Sequence, residues 1–585
     1  MKDFIKMVLA VVCGIFVASV IGLFLFFGMI GSLAAGSKPI LPKSGVLSID
    51  LSSFVLGEQT QEANPFDNLQ PASLLGGGGG TTASIGIWDA VRAINAAAED
   101  PGIKYIYLRT DGNASSVAQL EELRAALKHF RATSGKPVVA YVENFDTGEY
   151  YIASVSDKIY MTSHLGAEPM MYGIGTQMFF FGDLLKKFGV NVQLIRHGKY
   201  KSAGETFTRG SASPENREQY QRMIDSIWES IGDEIAASRG LDRARLDAMI
   251  NDLELRLPQD CVDNGLVDEL LDREGLENKL AALAVEEEFK DIDWIRFSDY
   301  VEAQSLPTRV RQKIAVIYAD GEIVNGSAKS QVAGDRFASI IAKVRADSTV
   351  KAVVLRVNSP GGSVLASEAI KDEVDRLQAV KPVVASYGST AASGGYWISN
   401  GCEKIFSNAT TLTGSIGVFG LVPDLSKTAK EVAHVGVESI TSHKHGDVLG
   451  MMRPLSSAEY DFTLTGIEAV YDRFTTLVSE GRGIPKETVD AIGQGRVWTG
   501  ADAIDIHLVD EIGTLEDALH YAAVLAGDSD LDNWNIAGYP APMSSAEQVL
   551  NMLGSKNNDN AMISALRKVT SPQIYARMDN DICVK

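Results

Sequence analysis

Apolar positions in this chain alternate between strand-like and helix-like spacing. The run Val46-Leu47-Ser48-Ile49-Asp50-Leu51 opens a stretch over 46–58 that reads as a strand. Ile87, Val91 and Ile94 then recur at helical spacing. Ile103–Arg109 predicts a strand, Val117–Phe130 a helix, and Pro137–Val142 a further strand. Val190–Ile195 predicts another strand. Ser213-Pro214-Glu215 then starts a helix of about 25 residues whose apolar face runs from Tyr220 and Met223 to Ile231 and Ile235. Strands and helices alternating at these lengths predict parallel α/β architecture, because a parallel neighbour needs a crossover connection.

The same pattern occurs again further along. Asp100–Arg109 matches Asp347–Arg356, and Lys136–Ala140 matches Lys381–Ala385. Tyr150-Tyr151-Ile152 matches Tyr396-Trp397-Ile398, and Gly265–Leu270 matches His507–Ile512. Matches in one order, at a near-constant offset of roughly 245 residues, indicate two copies of one fold. The boundary falls around Ser305–Arg311, which gives a first repeat over 46–305 and a second over 311–526, closed by a helix at Leu515–Leu525. Residues 527–585 read as a polar, Asn/Asp-rich C-terminal tail with an amphipathic helix near Ala546–Leu553, and no chemistry is assigned to them.

The N-terminus adds a membrane. Met7–Ile30 is an almost unbroken apolar run of about 24 residues, enough to cross a bilayer with some tilt. Lys2 and Lys6 precede it and the next charge is Lys38. That asymmetry predicts a cytoplasmic segment 1–6, a single transmembrane anchor and an exported body. Small residues at Ser32–Ala35 suit a cleaved signal peptide instead, but the length of the apolar run favours an anchor. The chain of 585 residues carries a formal net charge of −21, which argues against nucleic acid as a partner. Cysteines at 13, 261, 402 and 583 show neither metal-ligand spacing nor a disulfide framework, and no metal or cofactor is expected. His443 and His445 read as a solvated loop rather than a metal site, and Gly76–Gly80 as a linker, since no Gly-Lys-Ser/Thr follows.

Candidate chemistry lies where the repeats differ. After the apolar strand Pro382–Ser386, the stretch Ser389–Trp397 places Ser393 among small residues before a helix-like run. Alone, that reads as a tight turn. The first repeat has Asp146-Thr147-Gly148 where the second has Ala392-Ser393-Gly394, and Asp111-Gly112-Asn113 where the second has Asn358–Ser363. Conversely, Lys201 in the first repeat has no counterpart in Thr441–Leu449. One repeat keeps a serine and the other a lysine. A serine hydroxyl needs a base to attack a carbonyl, and neither His197 nor His507 fits a triad order. A lysine serves if burial lowers its pKa. Lys201 is the candidate and Lys199 the alternative, while the N–H groups of Gly361, Gly362 and Gly394 suit a developing oxyanion. Acyl transfer is the reaction class.

Ser-Pro-Gly-Gly-Ser at 359–363, Ala-Ala-Ser-Gly-Gly-Tyr-Trp-Ile-Ser at 391–399, Thr-Gly-Ser-Ile-Gly-Val at 413–418 and Tyr-Lys-Ser-Ala at 200–203 resemble the long, tandem form of bacterial signal peptide peptidase A (protease IV). The resemblance implies two tandem Clp protease/crotonase-like α/β domains after the anchor. It also implies a serine endopeptidase with Ser393 as nucleophile, Lys201 as general base, Gly361, Gly362 and Gly394 around the oxyanion, and Ser415 orienting the lysine. By the same resemblance the substrates are signal peptides left in the membrane and other hydrophobic peptides. Four chains would form a bowl on the periplasmic side of the inner membrane. The sequence departs from the family at Tyr387-Gly388-Ser389-Thr390, where more Gly and Met is expected. The alternative from another class is an inactive scaffold that keeps the fold.

Overall fold

Ile103–Arg109 forms a strand whose side chains alternate between two buried faces: Ile106 and Leu108 point one way, Tyr105 and Tyr107 the other. Its counterpart Val350–Ser359 does the same, with Ala352 and Val354 on one face and Val353 and Leu355 on the other. A computed structural model describes residues 14, 39–61, 83–304, 310–329, 331–542 and 574–578. Apart from Gly14, the anchor expected at 7–30 lies outside the described residues, as do Gly76–Gly80 and the helix expected near Ala546–Leu553. Among the described residues no helix is long and apolar enough to cross a membrane.

The repeat seen in the sequence is a repeat in space. The first sheet runs Glu269–Leu271, Lys158–Thr162, Val138–Val142, Ile103–Arg109, Gly45–Asp50, Trp294–Arg296, with every pairing parallel. The second carries the matching path Glu511–Ile512, Ile405–Ser407, Val383–Ala392, Val350–Ser359, Lys313–Asp320, Asn535–Tyr539, parallel at each of these pairings, and a further arm in which Leu412–Gly414 pairs parallel with Val383–Ala392 and antiparallel with Val497–Thr499. The helices Ile87–Glu99, Val117–Ser134 and Leu515–Ala526 share one core between the two sheets, through residues such as Ile94, Leu123 and Leu519. Gly334–Ala346 and Val364–Gln378 cover the far face of the second sheet.

Two sequence-based boundaries change. The stretch 46–58 is two strands, Gly45–Asp50 and Phe54–Gly57, because the Asp50 carboxylate accepts from Ser52 N at 3.0 Å and turns the chain. The second repeat does not end at 526: Asn535–Tyr539 pairs with Lys313–Asp320 as the edge strand, the counterpart of Trp294–Arg296. Asn535–Tyr539 is therefore part of the fold. Its short, half-buried edge character explains why it carries no clear apolar alternation.

A buried ion cluster ties the halves together behind the second sheet. Arg356 Nε donates to Glu58 at 2.6 Å and Arg356 Nη2 to Glu122 at 2.6 Å, with all three side chains about 1% exposed. Glu122 also accepts from Leu515 N at 3.0 Å. A third sheet mixes the halves outright. Asn191–His197 of the first repeat pairs antiparallel with Val418–Asp424 of the second, His197 opposite Val418. That pairing carries a first-repeat loop to the second-repeat serine.

Candidate active site

Ser393 sits between the strand Val383–Ala392 and the helix Gly394–Ser399 with φ 56° and ψ −113°. That backbone is costly for a residue with a Cβ and persists only where its surroundings hold it. Ser393 N donates to Gly414 O at 2.8 Å, and Trp397 N donates to Ser393 O at 2.8 Å. The turn thus fixes a hydroxyl that is itself fully buried.

Lys201 arrives on the loop that follows Asn191–His197. Gly495 makes room for it: a Cβ there would stand 2.5 Å from Lys201 Cβ, so only glycine lets the two loops close. Tyr200 N donates to Gln494 O at 2.9 Å, which pins the loop to the second repeat. Arg196 Nη1 donates to Lys201 O at 2.7 Å and to Glu205 at 3.1 Å. The other Glu205 oxygen accepts from Ser213 N at 3.0 Å, and Ser213 caps the helix Pro214–Arg239. Arg196 and fully buried Glu205 are positioning residues that sequence reasoning missed, since neither stands in a motif.

The amine and the hydroxyl meet. Lys201 Nζ is 2.7 Å from Ser393 Oγ, 3.0 Å from Ser415 Oγ and 3.0 Å from Ser415 O, with Lys201 and Ser415 each 1% exposed. Of the two lysines weighed from sequence, the structure brings Lys201 to the serine. Lys199 is exposed, with its amine over the Tyr200 ring at 4.9 Å. The three glycines converge on the same place: a Cβ on Gly394 would lie 3.1 Å from Gly361 Cα and 3.1 Å from Gly362 N. Gly362 itself, at φ 154°, admits no side chain, since a Cβ would fall 1.9 Å from Ile323 O. A hydroxyl against a buried amine, beside a glycine-lined backbone, is the equipment of acyl transfer. Beside Lys201 and Ser415 a small cavity is lined by Tyr220, Met223, Leu412, Val497 and Met578.

Among the described residues no cluster of metal-ligating side chains occurs. His445 instead contacts Glu459 at 2.7 Å and His197 stacks on Tyr471 with ring centroids 3.9 Å apart. Cys261 and Cys402 are free and buried, and burial pushes each thiol up to about 12.

The profile of peptidase family S49 matches this chain twice, at residues 130–286 and 375–528. Protease 4 of Haemophilus influenzae is 34% identical over 522 residues, 86% of this chain and 83% of that protein. Protease 4 of Salmonella typhi is 33% identical over 555 residues, 91% of this chain and 87% of that protein. The chloroplastic serine protease SPPA of Arabidopsis thaliana is 30% identical over 495 residues, 83% of this chain and 72% of that protein. Two family matches, one in each repeat, together with relatives that run along most of the chain, leave a single conclusion: this chain belongs to peptidase family S49 and is a serine protease.

Proposed function

We propose that Ser393 is the nucleophile and Lys201 the general base of a serine endopeptidase that cuts hydrophobic peptides. The observation that carries this reading is the 2.7 Å contact between Lys201 Nζ and Ser393 Oγ, both buried. Desolvation disfavours the ammonium and so favours the neutral amine that a general base requires. Ser393 Oγ attacks the scissile carbonyl carbon while Lys201 takes its proton. Lys201 then delivers that proton to the departing amine, and a water repeats the sequence on the acyl-enzyme. The N–H groups around Gly361, Gly362 and Gly394 receive the oxyanion, and Ser415 holds the lysine. Both repeats take a Clp protease/crotonase-like fold in this reading.

The substrate class follows from the apolar wall of Tyr220, Met223, Leu412 and Val497 beside Lys201. A putative signal peptide peptidase SppA of Enterococcus faecium is 35% identical over 214 residues, 36% of this chain and 61% of that protein. We therefore assign leftover signal peptides as substrates, with residues 7–30 anchoring the body on the outer face of the cytoplasmic membrane. The test is hydrolysis of a fluorogenic apolar peptide by wild type, Ser393→Ala and Lys201→Ala. Each variant is expected to lose about 10^3-fold or more. Equal rates in all three would sink the dyad, and an inert wild type would favour the scaffold reading. Protection of the body from external protease in intact spheroplasts would overturn the topology.

A homotetramer has its own support. Tyr107, Arg109 and Tyr141, on the outer face of the first sheet, line an open cleft. The matching face of the second sheet, with Arg356, is covered by the first repeat's helices. The helix Val364–Gln378, counterpart of the covering helix Val117–Ser134, presents Leu365 outward at 72% exposure. A second copy laying its outer helices on the open face would repeat the contact that joins the two halves. Light scattering should give four chains, and Leu365→Glu should lower that number. A monomeric wild type would refute the assembly.

A further inference from the structure

Residues 174–180 have the side-chain pattern of a strand and no strand beside them. Ile174, Thr176, Met178 and Phe180 are half-buried, while Gly175, Gln177 and Phe179 between them are exposed. Among the described residues no backbone N–H or C=O of 174–180 makes a hydrogen bond. The inner face nevertheless has a place in the site. Ile174 and Met178 pack against Tyr220, Met223, Ala392 and Leu412, and three of these four wall the cavity beside Lys201. Asn216 Nδ2 lies 4.0 Å from Met178 Sδ and donates to Glu205 at 3.4 Å, so this strand also touches the group that positions the lysine loop. A row of unpaired main-chain groups over an apolar face is a template for another strand.

The internal repeat identifies the strand that fits. Asp146 pairs with Met170 in the first repeat, and Ala392 with Gly414 in the second. Ile174 and Val418 each lie four residues beyond, so 174–180 corresponds to Val418–Asp424. In the second repeat that stretch is paired, by Asn191–His197 of the first. The second repeat has its own version of this pairing arm. Gly189-Val190 leads into Asn191–His197 and Gly198 follows; Gly436-Val437 leads into 438–445 and Gly446 follows. Both arms return into helices of 26 residues, Pro214–Arg239 capped by Ser213 and Ser457–Arg482 capped by Ser456. Yet residues 438–445 are exposed throughout, with Ile440 at 93%, and join no sheet among the described residues. The open strand belongs to the first repeat and the idle arm to the second, the reverse of the pair already joined. A head-to-tail neighbour supplies what each lacks. We propose that residues 438–445 of one copy add as an antiparallel strand to 174–180 of the next, and that this pairing steadies Met178 against the wall of the active site. The proposal rests on the homotetramer reading and names the strands that join its neighbours. It runs in the same direction as the Leu365 contact, from the second repeat of one copy to the first repeat of the next.

Main-chain hydrogen bonds hold an added strand, and the register sets which side chains meet. Within the chain Leu421 stands opposite Leu194. Carried onto the two unpaired segments, that register sets Gln177 opposite Thr441, both exposed. Opposite residues of an antiparallel pair come within disulfide reach. The experiment co-expresses two full-length chains, one with Gln177→Cys and one with Thr441→Cys, and oxidises them mildly in detergent. Ser439→Cys and His443→Cys replace Thr441→Cys in parallel to cover neighbouring registers. A disulfide-linked dimer is expected with one of the three arm variants, and none from wild type or from any variant expressed alone. A second variant, Gln177→Pro, cannot donate to the ladder. It is expected to lower the number of chains seen by light scattering and to raise KM for a fluorogenic apolar peptide severalfold, with kcat little changed. No cross-link from any of the three pairs, in a chain that light scattering finds tetrameric, overturns the pairing and leaves the tetramer standing. A monomeric wild type overturns both. A cross-link together with an unchanged KM in Gln177→Pro upholds the pairing and rejects its role at the site.

Discussion

Glu149 of the first repeat rests its carboxylate on the backbone N–H groups of Gly112 and Asn113, at 2.6 and 3.2 Å. In the second repeat the corresponding stretch carries Gly361 and Gly362, so an internal carboxylate occupies the place where an oxyanion would be received. Thr147, at the position of Ser393, is spent on Gly173: its hydroxyl donates to Gly173 O at 3.0 Å and accepts from Gly173 N at 3.1 Å. The first repeat has closed its own site and kept the scaffold that delivers Lys201.

Glu149→Ala should therefore destabilise without slowing catalysis. The substitution strips acceptors from three backbone donors, Gly112 N, Asn113 N and Asp146 N, a loss of about 1–3 kcal/mol or more. Urea unfolding should register it, while peptide hydrolysis stays within about twofold of wild type. A drop in kcat comparable to that of Ser393→Ala would mean the first repeat still takes part in the chemistry.

Much of this was legible because it is local. The Ser213-Pro214 signal starts a helix at Pro214, with the Ser213 side chain accepting from Asn216 N. The repeat could be read because matched strands need matched apolar runs. What stayed hidden depends on distant partners. Spacing alone does not separate Lys199 from Lys201; the close approach of Gly495 from the other repeat does. The cluster of Glu58, Glu122 and Arg356 joins residues far apart in the chain, and Arg356 carries no more sequence signal than its half-exposed repeat mate Arg109. Ile574–Arg577 is four residues whose strand character comes from the glycine edge it joins.

Lys201 gives the pH profile its sign. In the proposed dyad only the neutral Lys201 amine, the form present above its pKa and the one that burial favours, accepts the Ser393 proton. The value of kcat/KM should climb about tenfold per pH unit below that pKa and level off above it. A rate flat from about pH 6 to about pH 10 would count against a lysine base.

Ser415 holds the same amine by two oxygens, its hydroxyl and its carbonyl, each at 3.0 Å. Ser415→Ala removes only the first. We expect kcat to fall about 10- to 100-fold with KM little changed, a loss of orientation rather than of binding. Loss of an acceptor for the ammonium also lowers the lysine pKa, so the midpoint of the pH profile should move down. An unmoved midpoint would assign Ser415 a merely structural role.

Arg356 faces two carboxylates, so the buried cluster carries one negative charge more than it neutralises. Burial raises the Glu58 carboxyl above its ordinary range against the pull of Arg356, and the neighbouring Glu122 adds to the rise. Glu58 Oε1 is buried with no hydrogen-bond partner among the described residues, consistent with a group that is costly to ionise. With the folded pKa above the unfolded one, the folded chain keeps a proton that the unfolded chain releases. The Glu58 contribution to stability is thus fully present below the unfolded pKa and is lost as pH rises through the folded pKa. Glu58→Gln should match wild type at about pH 4 and become the more stable protein by about pH 8, read as the difference in urea midpoints. Arg356→Met leaves both carboxylates buried without their cation and should cost about 3–5 kcal/mol. The loss should reach the active site, because Arg356 Nη1 also donates to Ser386 Oγ at 2.9 Å and to Tyr387 O at 3.1 Å on the strand that ends before Ser393. A constant midpoint difference across that pH range, or an Arg356→Met chain as stable as wild type, would show that packing rather than charge joins the two halves.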